Sequence, residues 1–315
     1  MGERLSVVFE ADPGADERLA GEVLAAAGVE AVEAGGQEGC ASLGTVVARR
    51  GGELVGWATL LEPDGRDGEP HVQWALASLE AELAAGAAGG GAVGEEELGA
   101  VEALVGAAGR RARELGHGGV VWTPSLAEVD EVVAARLGAV VLREEGRDWG
   151  VADLSGWSAP AGLPVVRVRR VDEVGEELLE AYARLYADHA VLHPFEQEWD
   201  VDDVAGFLDT SHLDGGWLRE APVFDVLEEG GGLVAQLPVL VDADGAAAVG
   251  KVVHHGVDAA RLAAGLAGCM ESLAAGGPAV RSLTVREFDD AVVAGAAERA
   301  GMVVQARWPV YRLAV

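Results

Sequence analysis

Lysine is almost missing from this 315-residue chain. Lys251 is its only lysine, and arginine supplies the other cationic side chains, 23 in all against 53 acidic ones. The resulting net charge of -30 repels the phosphate backbone of nucleic acids, which binds to proteins through cations that displace counterions. It also repels an anionic membrane surface. We therefore expect no nucleic-acid or membrane partner, and the charge favours cationic small molecules.

Cysteine is scarce as well. Cys40 and Cys269 are far apart, and neither lies in a CxxC or another metal-binding spacing. Two isolated thiols suit a reducing compartment. The N-terminal stretch MGERLSVVFEADPGAD has no long apolar region typical of a signal peptide, and no apolar run reaches the length of a membrane span. These absences predict a cytoplasmic protein.

The chain contains the same order of elements twice. Half of its residues are apolar, which is enough for a sizeable core, and the Gly-, Pro- and Ser-rich segment 155–165 indicates a linker at the midpoint. On each side we predict a strand, a helix, a glycine hairpin, a strand, a helix, a strand, a helix and closing strands. The endings RDWGVADL and ARWPVYRL align Trp149 with Trp308. This pattern predicts a duplicated domain, 1–154 and 166–315.

The expected fold class is α/β, with a mixed sheet of the α+β kind in each half. Alternating strands and helices alone also permit a doubly wound parallel sheet. The hairpin signature at Gly51-Gly52, between two apolar runs, favours an antiparallel section in the sheet.

The second half of the chain resembles a known family in the segment HHGVDAARLAAGLAGCMESLAAGG, residues 254–277. A strand ends near Val257, a glycine-containing stretch runs from Arg261 through Gly265 to Ala267, and a long helix follows. This order resembles the GCN5-related N-acetyltransferase (GNAT) domain, whose loop reads Arg/Gln-x-x-Gly-x-Gly/Ala. Here one extra residue separates Arg261 from Gly265. The first half is fainter, with Glu96 where the loop arginine would be.

The resemblance implies two tandem GNAT-like domains and acetyl-CoA as cofactor. It implies an N-acetyltransferase that acts on an amine of a small molecule or peptide. The pyrophosphate would be bound by backbone N–H groups at a helix N-terminus. The residues implied are Val257, Arg261, Ala264, Gly265, Leu266 and Ala267. An alanine-rich packing helix in a retired domain is the other interpretation of this segment. We expect the first half to be degenerate, because three glutamates from Glu95 would face the phosphates.

Acetyl transfer needs a group that takes a proton from the amine and often an acid for the leaving thiolate. His254 and His255 lie on the strand before the loop, where the base of the family often resides, and one of two consecutive residues faces each side of a strand. The family's usual tyrosine acid is replaced by Ala297 here. Tyr311 on the last strand is the substitute candidate. Ordinary packing is the alternative role for each of these three side chains.

The polar segment YADHAVLHPFEQEWD follows the first helix of the second half, where the family binds its acceptor. His193, Glu196 and Trp199 are therefore candidate acceptor contacts. His189 and His193 have the i, i+4 spacing of metal ligands, but Pro194 and the lack of a third placed ligand lead us to predict no metal. A catalytically inactive tandem module that binds a ligand or protein is the competing function. The sequence leaves the oligomeric state open.

Overall fold

The structure is a computed structural model that describes residues 4–12, 14–26, 41–63, 67–84, 93–193, 199–210, 218–228, 230–275 and 280–315. The chain forms two compact units. Unit 1 comprises residues 1–145 and 308–315, and unit 2 comprises residues 146–307.

Unit 1 is built from a mixed sheet and the helices that pack on it. Its strands are β1 (Leu5–Glu10), β2 (Ser42–Arg50), β3 (Glu53–Leu61), β4 (His71–Leu76), β5 (Gly119–Trp122) and the start of β6 (Val140–Val151). Its helices are α1 (Ala15–Ala26), α2 (Ala77–Ala84), α3 (Glu95–Glu114) and α4 (Ala127–Leu137). The strands β1 to β4 pair antiparallel in sequence order, and β4 pairs with β5 in parallel.

Helix α3 explains why unit 1 tolerates so much alanine. One face of the helix is fully buried against the sheet, through Val101, Leu104, Val105 and three alanines. Small side chains let the helix backbone approach the strands closely, while the branched residues fill the gaps between them. The hairpin predicted at Gly51-Gly52 joins β2 to β3, and both glycines have a positive φ, as a tight hairpin turn requires.

Unit 2 repeats this plan. Its strands are β7 (Arg167–Val171), β8 (Leu218–Glu220), β9 (Val223–Leu227), β10 (Leu233–Asp242), β11 (Ala246–Val249), β12 (Val253–His254), β13 (Ser282–Glu287) and the start of β14 (Val303–Ala314). Its helices are α5 (Glu176–Leu192), α6 (Val201–Leu208), α7 (Ala259–Ala275) and α8 (Ala291–Arg299). The strands β7, β9, β10 and β11 pair antiparallel in that order, and β11 pairs with β13 in parallel.

The units differ from the predicted halves at their closing strands. Residues 147–151 of β6 pair with β13 in unit 2, and residues 311–314 of β14 pair with β5 in unit 1. The segment 155–165 has no regular secondary structure, as expected of a linker, but it packs onto unit 2. The indole of Trp157 donates to the carbonyl of Ala300, and Leu163 contacts the core. Strand pairing therefore divides the chain at 145/146 and 307/308.

The predicted fold class is confirmed: each sheet is mixed, with an antiparallel section and one parallel pair. The apolar face of α7, formed by Leu262, Leu266, Met270 and Leu273, is buried in the core of unit 2. No helix within the described ranges has the length and apolar character needed to cross a bilayer.

Candidate active site

The sheet of unit 2 forks between β11 and β13. The two strands pair in parallel from Ala246 opposite Ser282 to Val249 opposite Val285. Residues 250–252 then leave the ladder, and β12 pairs with β10 and, among the described residues, not with β13. The two neighbouring strands diverge here, so their facing edges lack their usual ladder partners.

An imidazole occupies the free edge of β12. The N–H of His255 donates to the carbonyl of Val234 on β10 at 3.0 Å, so the backbone groups of His254 lie on the other side of the strand. There the Nδ1 of His189 is 3.0 Å from the oxygen and 3.3 Å from the nitrogen of His254. One ring nitrogen satisfies one of these two groups at a time, and its tautomer decides which.

The side chain of His254 is paired with a carboxylate. Its Nε2 is 2.8 Å from Oδ2 of Asp290, and both side chains are buried. The other oxygen of Asp290 caps α8, because it accepts from the N–H groups of Val292 and Val293. Burial would raise the pKa of Asp290, but the hydrogen bonds from His254 and these N–H groups outweigh it and lower the pKa to about 2. The carboxylate is therefore charged at neutral pH, and it favours a proton on Nε2 of His254.

Two further histidines complete a cluster around this pair. His189 and His193 lie one turn apart at the end of α5, with ring centroids 4.3 Å apart. The Nε2 of His193 is 3.3 Å from the same Oδ2 of Asp290 that binds His254. One potential ligand atom from each of His189, His193 and His254 lies within 4.8 Å of the other two. The third potential ligand is therefore His254, on a strand 65 residues along the chain from His189. The spacing of His189 and His193 alone does not indicate it.

The fork is narrow. A cavity of about 20 Å³ lies beside the histidines and is lined by Lys251, Val252, Arg286 and Glu287, among others. Burial raises the pKa of Glu287, although the backbone N–H of Asp290 donates to its carboxylate and opposes the shift.

The predicted phosphate-binding residues are placed differently from the expected loop. Helix α7 begins at Ala259, so Ala264, Gly265, Leu266 and Ala267 lie in its second and third turns. Their N–H groups are within the range of intrahelical hydrogen bonds and do not face a ligand at the helix end. The interpretation of these four residues as a loop is therefore corrected, since the helix starts before them.

Gly265 has a packing role. A Cβ atom at this position would lie 2.5 Å from Cγ2 of Val226 on β9, and one at Gly268 would lie 2.6 Å from Cγ2 of Val168 on β7. These glycines let α7 approach the sheet. Val257, which precedes the helix, is 6% exposed and belongs to the core.

Asp258 occupies the exposed end of α7. Its Oδ1 accepts from the N–H groups of Ala260 and Arg261, at 2.9 Å each. The side chain of Arg261 is 60% exposed and its Nε is 3.7 Å from Asp258. Immediately before this turn Gly256 has a φ of +56°, and the backbone N–H groups of Gly256 and Val257 have no partner among the described residues.

The remaining candidates are dispersed. Tyr311 lies in unit 1, 7% exposed, with its ring 5.4 Å from that of Trp122. Burial, with smaller contributions from nearby acidic residues, raises the pKa of Tyr311, which makes it a weaker acid. His255 faces away from the cluster, is 57% exposed in its side chain, and approaches Asp188 at 3.7 Å. The structure therefore does not bring His255 or Tyr311 to the pair formed by His254 and Asp290.

Of the predicted acceptor contacts, His193 belongs to the cluster. Trp199 stacks on Tyr186 with ring centroids 5.1 Å apart, and the ammonium group of Lys251 lies 4.6 Å from the centre of the Trp199 ring. Glu196 lies outside the described residues.

Unit 1 has a carboxylate in a comparable place. Asp130 on α4 is buried and accepts from the indole of Trp74 on β4, from that of Trp122, and from the N–H groups of Ser125 and Leu126. Burial raises the pKa of Asp130 to about 6, although these four hydrogen bonds oppose the rise. An indole only donates, so neither tryptophan ring beside Asp130 offers a lone pair in the way an imidazole does.

Two members of the cluster were missed from the sequence as a site. Asp290 was available as a signal, because an aspartate directly before an apolar helix is typical of an N-cap. Its pairing with His254 depends on the fork, which no local pattern indicates. His189 was noticed for its spacing with His193, but its position against β12 is a tertiary contact.

The sequence matches no family model and no curated protein. Among solved structures it is similar to a tandem GNAT protein from the clavulanic acid biosynthesis pathway, at 18% identity over 98% of each chain with a TM-score of 0.53. It is also similar to a GNAT-family acetyltransferase from Colwellia psychrerythraea, at 11% identity over 98% of this chain and 100% of the other, with a TM-score of 0.56. At these identities the similarity establishes the fold, and it confirms the predicted tandem GNAT-type architecture.

Proposed function

We propose that the chain is an acetyl-CoA-dependent N-acetyltransferase, that unit 2 is its catalytic unit, and that unit 1 is degenerate. The main support is the fork beyond Val249, with Asp290 lining the cavity beside it and the buried His254 paired with Asp290. A continuous strand pair at this place would instead favour a module without catalysis. The net charge of -30 supports a cationic acceptor, an amine of a small molecule or peptide.

The base is the pair formed by His254 and Asp290. With Asp290 ionised and a proton held on Nε2, the neutral imidazole keeps a lone pair on Nδ1, and no hydrogen-bond partner for this buried atom is found in the described part of the chain. A base oriented in this way takes a proton from an attacking amine. His193, which is 23% exposed in its side chain and touches the same carboxylate, provides the path for that proton toward solvent.

Acetyl-CoA, when bound, supplies the acetyl thioester. The chain offers the fork for its acyl end, and the N–H groups of Gly256 and Val257 with the side chain of Arg261 for its phosphates. The carboxylate of Asp258 opposes an anion at the same place. These residues therefore fit the cofactor, but the negative charge of Asp258 weakens the electrostatic attraction of its phosphates.

A non-catalytic binding module is the second candidate. The observation that favours it is the filled fork: His189 contacts the free edge of β12, and the adjoining cavity is only about 20 Å³. In that case the histidine cluster stabilises a retired active site.

Calorimetric titration with acetyl-CoA separates the two candidates. We expect saturable binding that Arg261→Glu weakens and Asp258→Asn strengthens, because asparagine still caps α7 and lacks the charge. One charge at a helix N-terminus contributes ~0.3–1 kcal/mol, so Asp258→Asn should change binding about two- to fivefold, and the charge reversal Arg261→Glu, which changes two charges, roughly 3- to 30-fold. Arg184→Glu, at an exposed position on α5, is the matched control and should leave binding unchanged.

An amine screen then tests the reaction. Polyamines, amino sugars and peptide amines are incubated with acetyl-CoA, and released thiol is measured against a His254→Gln variant. Transfer that depends on His254 supports the enzyme. No acetyl-CoA binding at millimolar concentration contradicts the proposal and leaves the binding module.

A further inference from the structure

Within the described ranges, one group of three or more potential metal ligands lies close enough together to hold a single ion. It is the cluster of His189, His193 and His254. We propose that it is a binding site for a divalent transition-metal ion of the zinc class. The inference does not depend on the proposed function, since metal binding is measured without acetyl-CoA.

The chemistry of the cluster suits such an ion. Neutral imidazole nitrogens bind Zn²⁺, Cu²⁺ and Ni²⁺ well, whereas Mg²⁺ and Ca²⁺ prefer oxygen. Zinc lies about 2.0–2.1 Å from each nitrogen, which places tetrahedral ligand atoms roughly 3.4 Å apart. One potential ligand atom of each ring lies within 4.8 Å of the other two, so the rings must approach one another by up to about 1.4 Å to hold one ion.

His254 has the hydrogen bonding of a metal ligand. Metal-bound histidines use one ring nitrogen for the ion and donate the other N–H to a carboxylate or carbonyl. The Nε2 of His254 is held by Asp290, and its Nδ1 is buried and has no hydrogen-bond partner among the described residues. The side chain is only 2% exposed, so water does not readily satisfy this atom. An orphaned buried acceptor is costly, and a metal ion removes that cost.

The other two histidines are fixed by their surroundings. His189 lies in the last turn of α5 and His193 is the residue directly after that helix, with the two ring centroids 4.3 Å apart. His189 is oriented by its contact with the carbonyl of His254 at 3.0 Å, which matches the usual support of a metal-bound ring. Asp290 supports two of the three rings and contributes a negative charge beside the ion.

A bound metal and a proton compete for the same lone pair of His254. If the chain is also an acetyltransferase, zinc therefore inhibits it by occupying the base. If it is a binding module, zinc links α5 to β12 and stabilises unit 2.

The test uses the metal-free full-length chain with Zn²⁺, in excess Mg²⁺ to saturate weak acidic surface sites. Affinity is measured by competition with a chromophoric chelator. We expect one strong site per chain, and a Co²⁺ complex with the intense visible absorption of a four-coordinate ion that has three nitrogen ligands and one water. His193→Ala, a partly exposed ligand, should abolish this site. Asp290→Asn should weaken it by about 10- to 100-fold, as for loss of a supporting carboxylate.

His255→Ala is the matched control, because His255 is adjacent to His254 and is exposed outside the cluster. It should bind zinc like the parent. If His193→Ala does not fold by circular dichroism, His193→Gln replaces it. The inference is overturned if the parent binds no zinc in excess Mg²⁺, if both the alanine and glutamine variants at position 193 bind like the parent, or if His255→Ala loses the site.

Discussion

Replacing Asp290 by asparagine removes one charge and leaves the shape of the side chain nearly unchanged. The Asn side-chain oxygen can still accept from Val292 and Val293, and Asn caps helices as well as Asp does. The amide nitrogen then faces Nε2 of His254, where the charged oxygen was 2.8 Å away. That nitrogen donates, so Nε2 must accept and the proton must move to Nδ1.

The size of the effect follows from the surroundings of His254. In the variant, a neutral amide replaces the charged carboxylate in the hydrogen bond to Nε2 of the buried His254, and loss of a hydrogen bond to a charged group costs ~1.5–3 kcal/mol of stability. If the amide in Asp290→Asn is turned around, its oxygen again accepts from Nε2 of His254, but its nitrogen then faces the N–H groups at the start of α8. The helix cap is lost at a similar cost. Loss of the base should lower the rate of acetyl transfer by about 10²- to 10⁴-fold.

Two measurements check this reasoning. Nitrogen-15 NMR of the histidine rings reports the tautomer of His254 without any substrate, and urea unfolding reports the stability. Asp289→Asn is the control, because Asp289 is exposed beside Asp290 and its positive φ of 51° is tolerated by asparagine. The reasoning is refuted if His254 keeps its proton on Nε2 in Asp290→Asn and the two variants are equally stable.

Two further predictions concern stability. Gly265→Ala should destabilise the chain by ~1–3 kcal/mol in urea unfolding, because its Cβ overlaps Val226. Gly206→Ala on α6 is the control: it has open space around it and should be neutral or slightly stabilising. Equal free energies of unfolding for the two variants would contradict the packing role of Gly265. The pKa of Asp130 is raised from 3.8 to about 6, so the folded state binds the proton of this residue more tightly than the unfolded state does. The contribution of Asp130 to stability should therefore fall by roughly 3 kcal/mol as the pH rises from about 4 to about 6. The free energy of unfolding is measured against pH for the parent and for Asp130→Asn, and the difference between the two profiles isolates the contribution of Asp130. A difference that grows as the pH rises from about 4 to about 6 would contradict the prediction. The same variant should be less stable by ~2–5 kcal/mol at pH 7, since an amide N–H₂ cannot accept from the buried donors around Asp130.

The fold could be predicted from local signals because each of them has a local cause. Positive φ at Gly138 follows from its place at the end of α4, and Gly51-Gly52 turn between two apolar strands. The start of α7 was also readable: Asp258 is a favourable N-cap, and it marks a helix that begins at Ala259. The family pattern placed the loop later in the chain, and the local capping signal gives the boundary found in the structure.

The site could be predicted only in part, because its parts come together through the fork. One of the two neighbouring histidines, His254 or His255, is expected to reach the cleft; His254 is the buried one, and the carboxylate paired with it belongs to the next helix after β13. No third ligand is placed near His189 and His193 in the sequence, and for this reason the sequence predicts no metal site. Once β12 leaves β13, the strand places His254 beside that pair. The pairing of the closing strands is non-local as well, since no local pattern specifies that residues 147–151 pair with β13 and residues 311–314 with β5.

The two units show how one arrangement supports different chemistry. Each holds a buried carboxylate that accepts from a ring N–H on a strand: Asp130 from Trp74 on β4 in unit 1, and Asp290 from His254 on β12 in unit 2. The pKa is about 6 in the first case and about 2 in the second. Burial is the largest cause at both sites and raises the pKa, but at Asp290 the hydrogen bonds, led by that from His254, outweigh it, whereas at Asp130 they do not. Unit 2 therefore pairs its carboxylate with a ring that has a second nitrogen for a proton or a metal, while the two indoles around Asp130 in unit 1 only donate.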